Sequence, residues 1–301
     1  MQTTDSIDLD SYFKFIGLDE YNTKRPEPNL PTLTKIVEKH ATSFFYHNVD
    51  LQIKYVRGQP IVKEDLLLSF IQNKLIDRKR GGMCYEINFL IEAVLVALGF
   101  KVQFASAFNA PYLPERETSH MVLIVKIDSD YYIVDPGFGV NNVRVPLKFD
   151  FETSQETTGL SFEKYQIVIE PNYYQANLTI DDKMLPLFYF MKEGSGPKIS
   201  DKEKLISEYI SFMNSPQEFR VRDWCLYLGG ATPDGRFGYW WDKKEKAGFT
   251  FKQANNLSAK EKIDFKNFEE FQTAAKETFG IEVPTELQKI SVRPSICERV
   301  N

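Results

Sequence analysis

The hydrophobic pattern of this chain changes abruptly near residue 100, and that change limits the folds open to it. Before this point, apolar residues and one histidine recur at helical spacing in Leu33, Ile36, Val37, His40, Phe44 and again in Leu67, Phe70, Ile71, Leu75. After Lys101 the chain reads KVQFASAF, SHMVLIVKI and YYIVD, short β-rich runs separated by turn-forming residues. The sequence therefore predicts a helical first third followed by an antiparallel sheet or small barrel.

The last third of the chain mixes the two patterns. The segment 193–197 (EGSGP) is the best linker candidate, because glycine and proline interrupt regular structure. Asn267 and Glu270 have capping-box spacing ahead of a helix that Gly280 is expected to end. The other elements predicted here are a helix near Lys202–Met213 and strands near Phe219–Leu228 and Phe237–Trp241.

Charge and cysteine content exclude several classes of protein. The formal net charge of −5 argues against a nucleic-acid binder, which usually carries a basic face. The three cysteines are Cys84, Cys225 and Cys297. This low, odd number builds no disulfide framework and favours a reducing compartment. The most apolar stretch, 87–100, is short and interrupted by polar residues, and the N-terminus lacks a secretory pattern, so we expect a soluble cytoplasmic protein.

The segment Arg80–Glu86 (RGGMCYE) is the clearest candidate for chemistry. Its two glycines permit close approach, and Cys84 falls in the first turn of a predicted helix that Gly99 ends. A helix N-terminus carries partial positive charge and free N–H groups, which stabilise a thiolate or an oxyanion. The alternative is a packing cysteine, since free cysteines are often core residues. The spacing alone does not decide between the two.

His120 and Asp135 are the candidate partners of this cysteine. A thiolate nucleophile usually needs an imidazole, and the chain has three histidines. His40 lies on an apolar stripe and His47 in an aromatic run, so both are interpreted as structural and His120 remains by elimination. Asp135 ends the strand YYIVD, where a carboxylate is able to orient the imidazole. The alternative for Asp135 is a strand-end residue that caps a turn.

The expected hairpin does not by itself bring these two residues together. A turn centred on Ser129 places Phe138, rather than Asp135, opposite His120. A slip of three residues is about 10 Å of strand, and an odd slip points the side chains to opposite faces of the sheet. The two side chains are therefore expected to meet only if the hairpin contains a bulge or an asymmetric turn.

Taken together, these segments resemble the arylamine N-acetyltransferases. RGGMCYEIN resembles the RGG-x-C-x-E-x-N segment of that family, and VDPGFG resembles its VD-x-GFG segment. His120 resembles the family's histidine at the start of a strand. Upstream, the similar segments are 12–17, PTL at 31–33 and FYHNVD at 45–50. Pro136 replaces a usual aliphatic residue, and RDWCLY at 222–227 departs from the family pattern, so no coenzyme A contacts are carried over there.

The resemblance implies a Cys84–His120–Asp135 triad and an α+β fold around a cysteine-protease-like core. The implied modules are an N-terminal helical bundle at 1–99, a central antiparallel β-barrel at 100–192 and a C-terminal α/β lid at 193–301. Aromatic side chains are expected to line the acceptor pocket, namely Tyr85, Phe138 and Phe45.

The implied activity is a two-step acetyl transfer. Acetyl-CoA is the co-substrate, the acetyl group passes to Cys84, and the nitrogen of an aromatic amine or hydrazine then accepts it. No bound cofactor is expected, and no cysteine, histidine or carboxylate cluster has the spacing of a metal site. The alternatives are an amide synthase using a carrier-bound acyl thioester, a papain-like cysteine hydrolase, and a binding protein without turnover. The sequence leaves the acceptor amine, the acyl-chain preference and the oligomeric state open.

Overall fold

The computed structural model describes residues 6–110, 119–160, 163–180, 182–215, 225–254 and 261–288. Cys297 and the beginning of the strand predicted at 219–228 lie outside the described residues. Within them the chain combines a helical layer, a nearly closed antiparallel sheet and a second antiparallel sheet. The α+β class predicted from the sequence is thus confirmed. No helix among these described ranges is both long enough and apolar enough to cross a membrane.

The first third of the chain is helical, as its periodicity predicts. Its α-helices are α1 (Leu9–Phe15), α2 (Glu20–Thr23), α3 (Leu30–Ser43), α4 (Val49–Val56), α5 (Leu68–Gln72) and α6 (Cys84–Ala97). The side chain of Asn29 caps α3 by accepting the N–H of Thr32 at 3.0 Å. A two-residue strand, β1 (Tyr46–His47), interrupts the helical region, and no feature of the sequence pattern predicts it.

The middle of the chain forms the barrel-like sheet. Its main strands are β2 (Lys101–Asn109), β3 (His120–Ile127), β4 (Asp130–Val134), β5 (Leu147–Phe149), β6 (Gln155–Thr158), β7 (Lys164–Ile169), β8 (Tyr173–Ile180) and β9 (Lys183–Glu193). They pair in the order β5-β4-β3-β2-β9-β8-β7-β6. The two end strands, β5 and β6, lie close together: the N–H of Lys148 on β5 donates to the hydroxyl of Thr157 on β6 at 3.3 Å. This near closure leaves little free sheet edge.

The hairpin between β3 and β4 differs from the expected one. Its turn holds two residues, and Asp128 adopts a left-handed φ of +53° that aspartate tolerates better than most residues. Ile127 therefore pairs with Asp130, and Leu123 with Val134. The register expected from a turn centred on Ser129 is wrong by one residue. Continuing the observed register puts position 135 opposite position 122, so the side chains at 120 and 135 share a face without any bulge.

The remaining elements complete the first sheet and build a second one. They are β10 (Gly196–Pro197), β11 (Ile199–Ser200), α7 (Lys202–Asn214), β12 (Cys225–Thr232), β13 (Gly235–Asp242), β14 (Ala247–Ala254), β15 (Glu261–Phe265) and α8 (Phe268–Phe279). The second sheet has the order β1-β12-β13-β14-β15, so the short N-terminal strand belongs to it. The predicted linker at 193–197 is an ordered hairpin, because β10 pairs with β9. The capping prediction for α8 is confirmed, since Asn267 accepts the N–H of Glu270 at 2.9 Å and Gly280 follows with φ +66°.

Three apolar cores hold these layers together. The first joins the helices to one face of β3 and to α7, through residues such as Met121, Leu123 and Tyr209. The second fills the barrel, and the third lies between the second sheet and α8. Because α6 packs directly against β3 in the first core, its N-terminus is held next to the strand that begins at His120.

Candidate active site

Cys84 is the first residue of α6, as the sequence predicts. Met83 precedes it in an extended conformation, and the Met83 N–H donates to Glu86 Oε2 at 2.8 Å. That contact satisfies one of the free donors at the start of the helix. Cys84 is buried, with 8% of its surface exposed. Its sulfur therefore lies at the positive end of the α6 dipole in a largely enclosed position.

A cluster of charges, in which Lys74 and Glu86 are buried and Asp50 and Arg80 partly buried, fixes the segment that leads to Cys84. Lys74 Nζ lies 2.8 Å from Glu86 Oε1 and 3.2 Å from Asp50 Oδ2. Arg80 binds the same Asp50 with Nε and Nη2, at 2.9 and 2.6 Å from Oδ1. Burial lowers the pKa of Lys74, but Glu86 and Asp50 outweigh it and raise that pKa, so the lysine stays charged. Arg80 is thus an ion-pair partner that shapes the loop.

His120 and Asp135 lie in direct contact. Nε2 of His120 is 2.7 Å from Oδ2 of Asp135, and both side chains are buried. The side chain of Cys84 lies close enough to the imidazole to favour its charged form. With Nε2 engaged by the carboxylate, Nδ1 is the ring nitrogen left for the sulfur. The three residues predicted from the sequence therefore form one connected chain of side chains.

The surroundings of His120 favour its charged form. Burial lowers the pKa of His120, but the charge of Asp135, the hydrogen bond to it and the contact with Cys84 outweigh burial and raise this pKa from 6.5 to about 10. The folded protein therefore binds this proton more tightly than the unfolded chain does. The resulting stabilisation is fully present below pH 6.5 and is lost as the pH rises through about 10.

This linkage predicts a pH-dependent stability that requires Asp135. We expect the free energy of unfolding to fall between pH 6.5 and pH 10, and to fall less in an Asp135→Asn variant, because the variant loses the partner that raises the pKa of His120. Urea unfolding of both proteins at the two pH values measures this difference. The contributions of the other titrating groups are common to both proteins and cancel in the comparison. Equal losses in the two proteins would contradict the assignment.

Asn88 is a site residue that the sequence reasoning passed over. Its Nδ2 donates to Asp135 Oδ1 at 2.8 Å and to the carbonyl of Met121 at 3.0 Å. Its Oδ1 accepts the N–H of Gly137 at 3.0 Å, and a Cβ on Gly137 would lie 2.7 Å from the carbonyl oxygen of Cys84. Asn88 thus ties the carboxylate to α6. The available signal was its position four residues after Cys84, one helical turn along the same face.

The three aromatic residues predicted for the acceptor pocket lie in different surroundings. The ring of Phe138 stands edge-on to His120, with a centroid distance of 5.0 Å, and is also in contact with Phe188. Tyr85 is fully buried; its hydroxyl donates to the carbonyl of His120 at 3.4 Å, and its ring stacks on Tyr209. Phe45 packs on Phe279 at 5.0 Å, beneath the loop before Cys84. Of the three, Phe138 is the one whose ring packs on the imidazole.

Comparison with known proteins identifies related sequences. The family model described as N-acetyltransferase matches residues 29–288. Over 194 residues the chain is 32% identical to the arylamine N-acetyltransferase of Mycolicibacterium smegmatis, covering 62% of this chain and 66% of that enzyme. The chain is also 30% identical to arylamine N-acetyltransferase 1 of Bos taurus. That match covers 44% of this chain and 43% of the bovine protein. These two sequence matches thus span less than two thirds of the length of either relative.

The structural comparison extends over nearly the whole chain. A crystallographic structure of the M. smegmatis arylamine N-acetyltransferase aligns with a TM-score of 0.73 and 26% identity, covering 96% of this chain and 97% of that one. The class defined by the matched family model is N-acetyltransferase. Within that class, the chain belongs to the arylamine N-acetyltransferase family, as its RGG-x-C-x-E-x-N resemblance implies.

Proposed function

We propose that this protein transfers an acetyl group from acetyl-CoA to the nitrogen of an aromatic amine or hydrazine, through a thioester on Cys84. The observation that carries the proposal is the connected series of Cys84, His120 and Asp135, with the cysteine at the N-terminus of α6. Family membership supports the reaction class. A Mycobacterium marinum enzyme of the same fold has been solved in complex with CoA, at 22% identity to this chain.

In the first half-reaction Cys84 is the nucleophile. His120 holds the proton of the thiol, and the sulfur attacks the carbonyl carbon of acetyl-CoA. A new S–C bond forms, the S–C bond to coenzyme A breaks, and the coenzyme A thiolate takes the proton from His120. One thioester replaces another, so this step is nearly thermoneutral and reversible. Asp135 keeps the imidazole oriented and stabilises its charged form throughout.

In the second half-reaction the amine attacks the acetyl-thioester. The N–C bond forms, the S–C bond to Cys84 breaks, and His120 removes the extra proton from nitrogen and shares it with the sulfur. Aromatic amines suit this step, because alkylamines with a pKa near ~10.4 are mostly protonated at neutral pH. Phe138, which is half-buried next to His120 and backed by the buried Phe188, provides an apolar surface for such a ring. We propose that this surface is the acceptor side of the site.

Intact-mass spectrometry tests this function directly. We expect incubation with acetyl-CoA to add one acetyl group to the protein, and a chase with an arylamine to remove it and produce the N-acetylated amine. Free coenzyme A should appear in proportion to product, which an amide synthase specific for carrier-bound acyl groups would not give. Cleavage of a fluorogenic peptide panel without acetylation would favour the cysteine hydrolase. Tight coenzyme A binding without any acetylation would favour a binding protein.

A further inference from the structure

The loop that follows Asp135 is anchored mainly by residues far away in the sequence. This loop, residues 136–142, carries Phe138 against His120, and it contains only a short 3-10 turn at Gly139–Asn141. The Val140 N–H donates to the Tyr227 hydroxyl on β12 at 3.2 Å. The carbonyls of Val140 and Asn142 both accept from Arg236 on β13. The second sheet therefore holds the loop that presents Phe138.

Arg236 makes as many hydrogen bonds here as it has donors. Its Nε donates to Glu163 at 2.6 Å, and its Nη1 to the carbonyl of Val140 and to Asn142 Oδ1. Its Nη2 donates to the carbonyl of Asn142 and to the hydroxyl of Tyr165, both at 2.9 Å. All five N–H groups of the guanidinium are thus used, while 3% of the residue is exposed. A lysine cannot reproduce this planar arrangement.

A pair of glycines in the same sheet also makes room for the loop. Gly229 on β12 and Gly238 on β13 are paired across the strands. A Cβ would lie 2.6 Å from Val140 Cγ1 at Gly229 and 3.1 Å from it at Gly238. The absence of side chains at this pair leaves the space that Val140 occupies. We name this arrangement, formed by Arg236, Gly229 and Gly238, the loop seat.

We propose that Arg236 is a positioning residue for the acceptor half-reaction, because it fixes Phe138 against His120 through the loop seat. The inference rests on the proposed function and extends it to a residue that touches neither Cys84 nor His120 in any contact described above. Arg236 also joins β13 to the barrel through Glu163 and Tyr165. The acceptor surface is thus built from the triad loop but held in place by the second sheet. Asn88 holds the carboxylate of Asp135 from α6 as well as the N–H of Gly137, so we expect the first half-reaction to depend less on the seat.

The test separates the two half-reactions in Arg236→Met. We expect acetylation of the protein by acetyl-CoA, followed by rapid-quench intact mass, to stay within about threefold of the wild type. The chase by an arylamine should slow by about tenfold to a hundredfold, because displacements near 1 Å have effects of that size. The amine concentration giving half the maximal chase rate should also rise. A Val140→Ala variant, which loosens the seat without removing a buried charge, should show the same selective defect to a smaller degree.

A matched variant controls for loss of stability. Phe271→Leu removes packing from the core under the second sheet, away from the loop, and should leave both half-reactions in their wild-type ratio. Two results would overturn the positioning role. In the first, both half-reactions slow equally in Arg236→Met and in Val140→Ala; in the second, the chase is unaffected in both variants. Failure of the wild-type protein to acquire or transfer the acetyl group would instead refute the proposed function, and the inference would fall with it.

Discussion

Replacing Cys84 with alanine is expected to abolish acetylation of the protein and to reduce turnover by about 10⁴-fold or more, as loss of a covalent nucleophile does. Cys84 begins α6 and lies beside His120, and no other nucleophile is placed in this way among the site residues described above. Both half-reactions of the proposed mechanism pass through a thioester on this sulfur, so neither can proceed without it. Intact mass after incubation with acetyl-CoA and a steady-state arylamine assay both measure the effect.

Cys225 provides the matched control for this substitution. It is also a buried free cysteine, and burial followed by the nearby Asp242 raises the pKa of its thiol to about 12. A thiol with so high a pKa carries almost no thiolate at neutral pH and should be a poor nucleophile. We expect Cys225→Ala to accept one acetyl group as the wild type does. If the Cys84→Ala protein were still acetylated and the Cys225→Ala protein were not, the nucleophile would be Cys225 instead of Cys84.

Replacing Asp135 with asparagine is expected to lower kcat by about 10⁴-fold, the size of the loss when the third member of such a triad loses its charge. The carboxylate accepts from His120 Nε2 at 2.7 Å and raises the pKa of the imidazole. An amide at this position is able to donate to Nε2, which would leave the proton on Nδ1, on the side of the sulfur. The imidazole would then be unable to accept the thiol proton. Pre-steady-state acetylation kinetics report this loss directly.

Asp130→Asn is the control for this second substitution. Asp130 lies on the same strand, β4, and its carboxylate pairs with Lys148 at 3.3 Å on the surface of the sheet. Exposed pairs of this kind contribute about 0–1 kcal/mol to stability, so we expect nearly wild-type kinetics. An Asp135→Asn enzyme that keeps its acetylation rate within about threefold would show that the carboxylate is not needed to orient His120.

Much of the fold was predictable from local patterns. The helical spacing before Gly99 and the β-rich runs after Lys101 correspond to α-helices and strands in the structure, because both signals depend on neighbouring residues along the chain. The short strand β1 was not predictable in this way. It consists of Tyr46 and His47, and it exists because their partners on β12, Gly229 and Leu228, lie beside them although they come 183 and 181 residues later in the sequence. Such pairing leaves no periodic trace in so short a segment.

The site shows the same division between local and distant information. The sequence made Cys84 a candidate through the glycines and helix that surround it, and the family resemblance grouped it with His120 and Asp135. No role was assigned to Arg236, nor to Asn88, although Asn88 is the last residue of the RGG-x-C-x-E-x-N motif. Arg236 reaches Val140 across 96 residues and Asn142 across 94, so its role depends on how two separate sheets are placed. The contact of Asn88 with Asp135 spans 47 residues and has the same origin.

The sequence by itself determined which residue types carry the chemistry and which elements they begin or end. Only the tertiary structure decided that they meet. Moving the β3–β4 turn by one residue would send His120 and Asp135 to opposite faces of the sheet, because side chains alternate along a strand with a period of two. Since six successive residues of β3 are buried on both faces of the sheet, its hydrophobic pattern cannot fix the register, and the two-residue turn at Asp128 sets it instead.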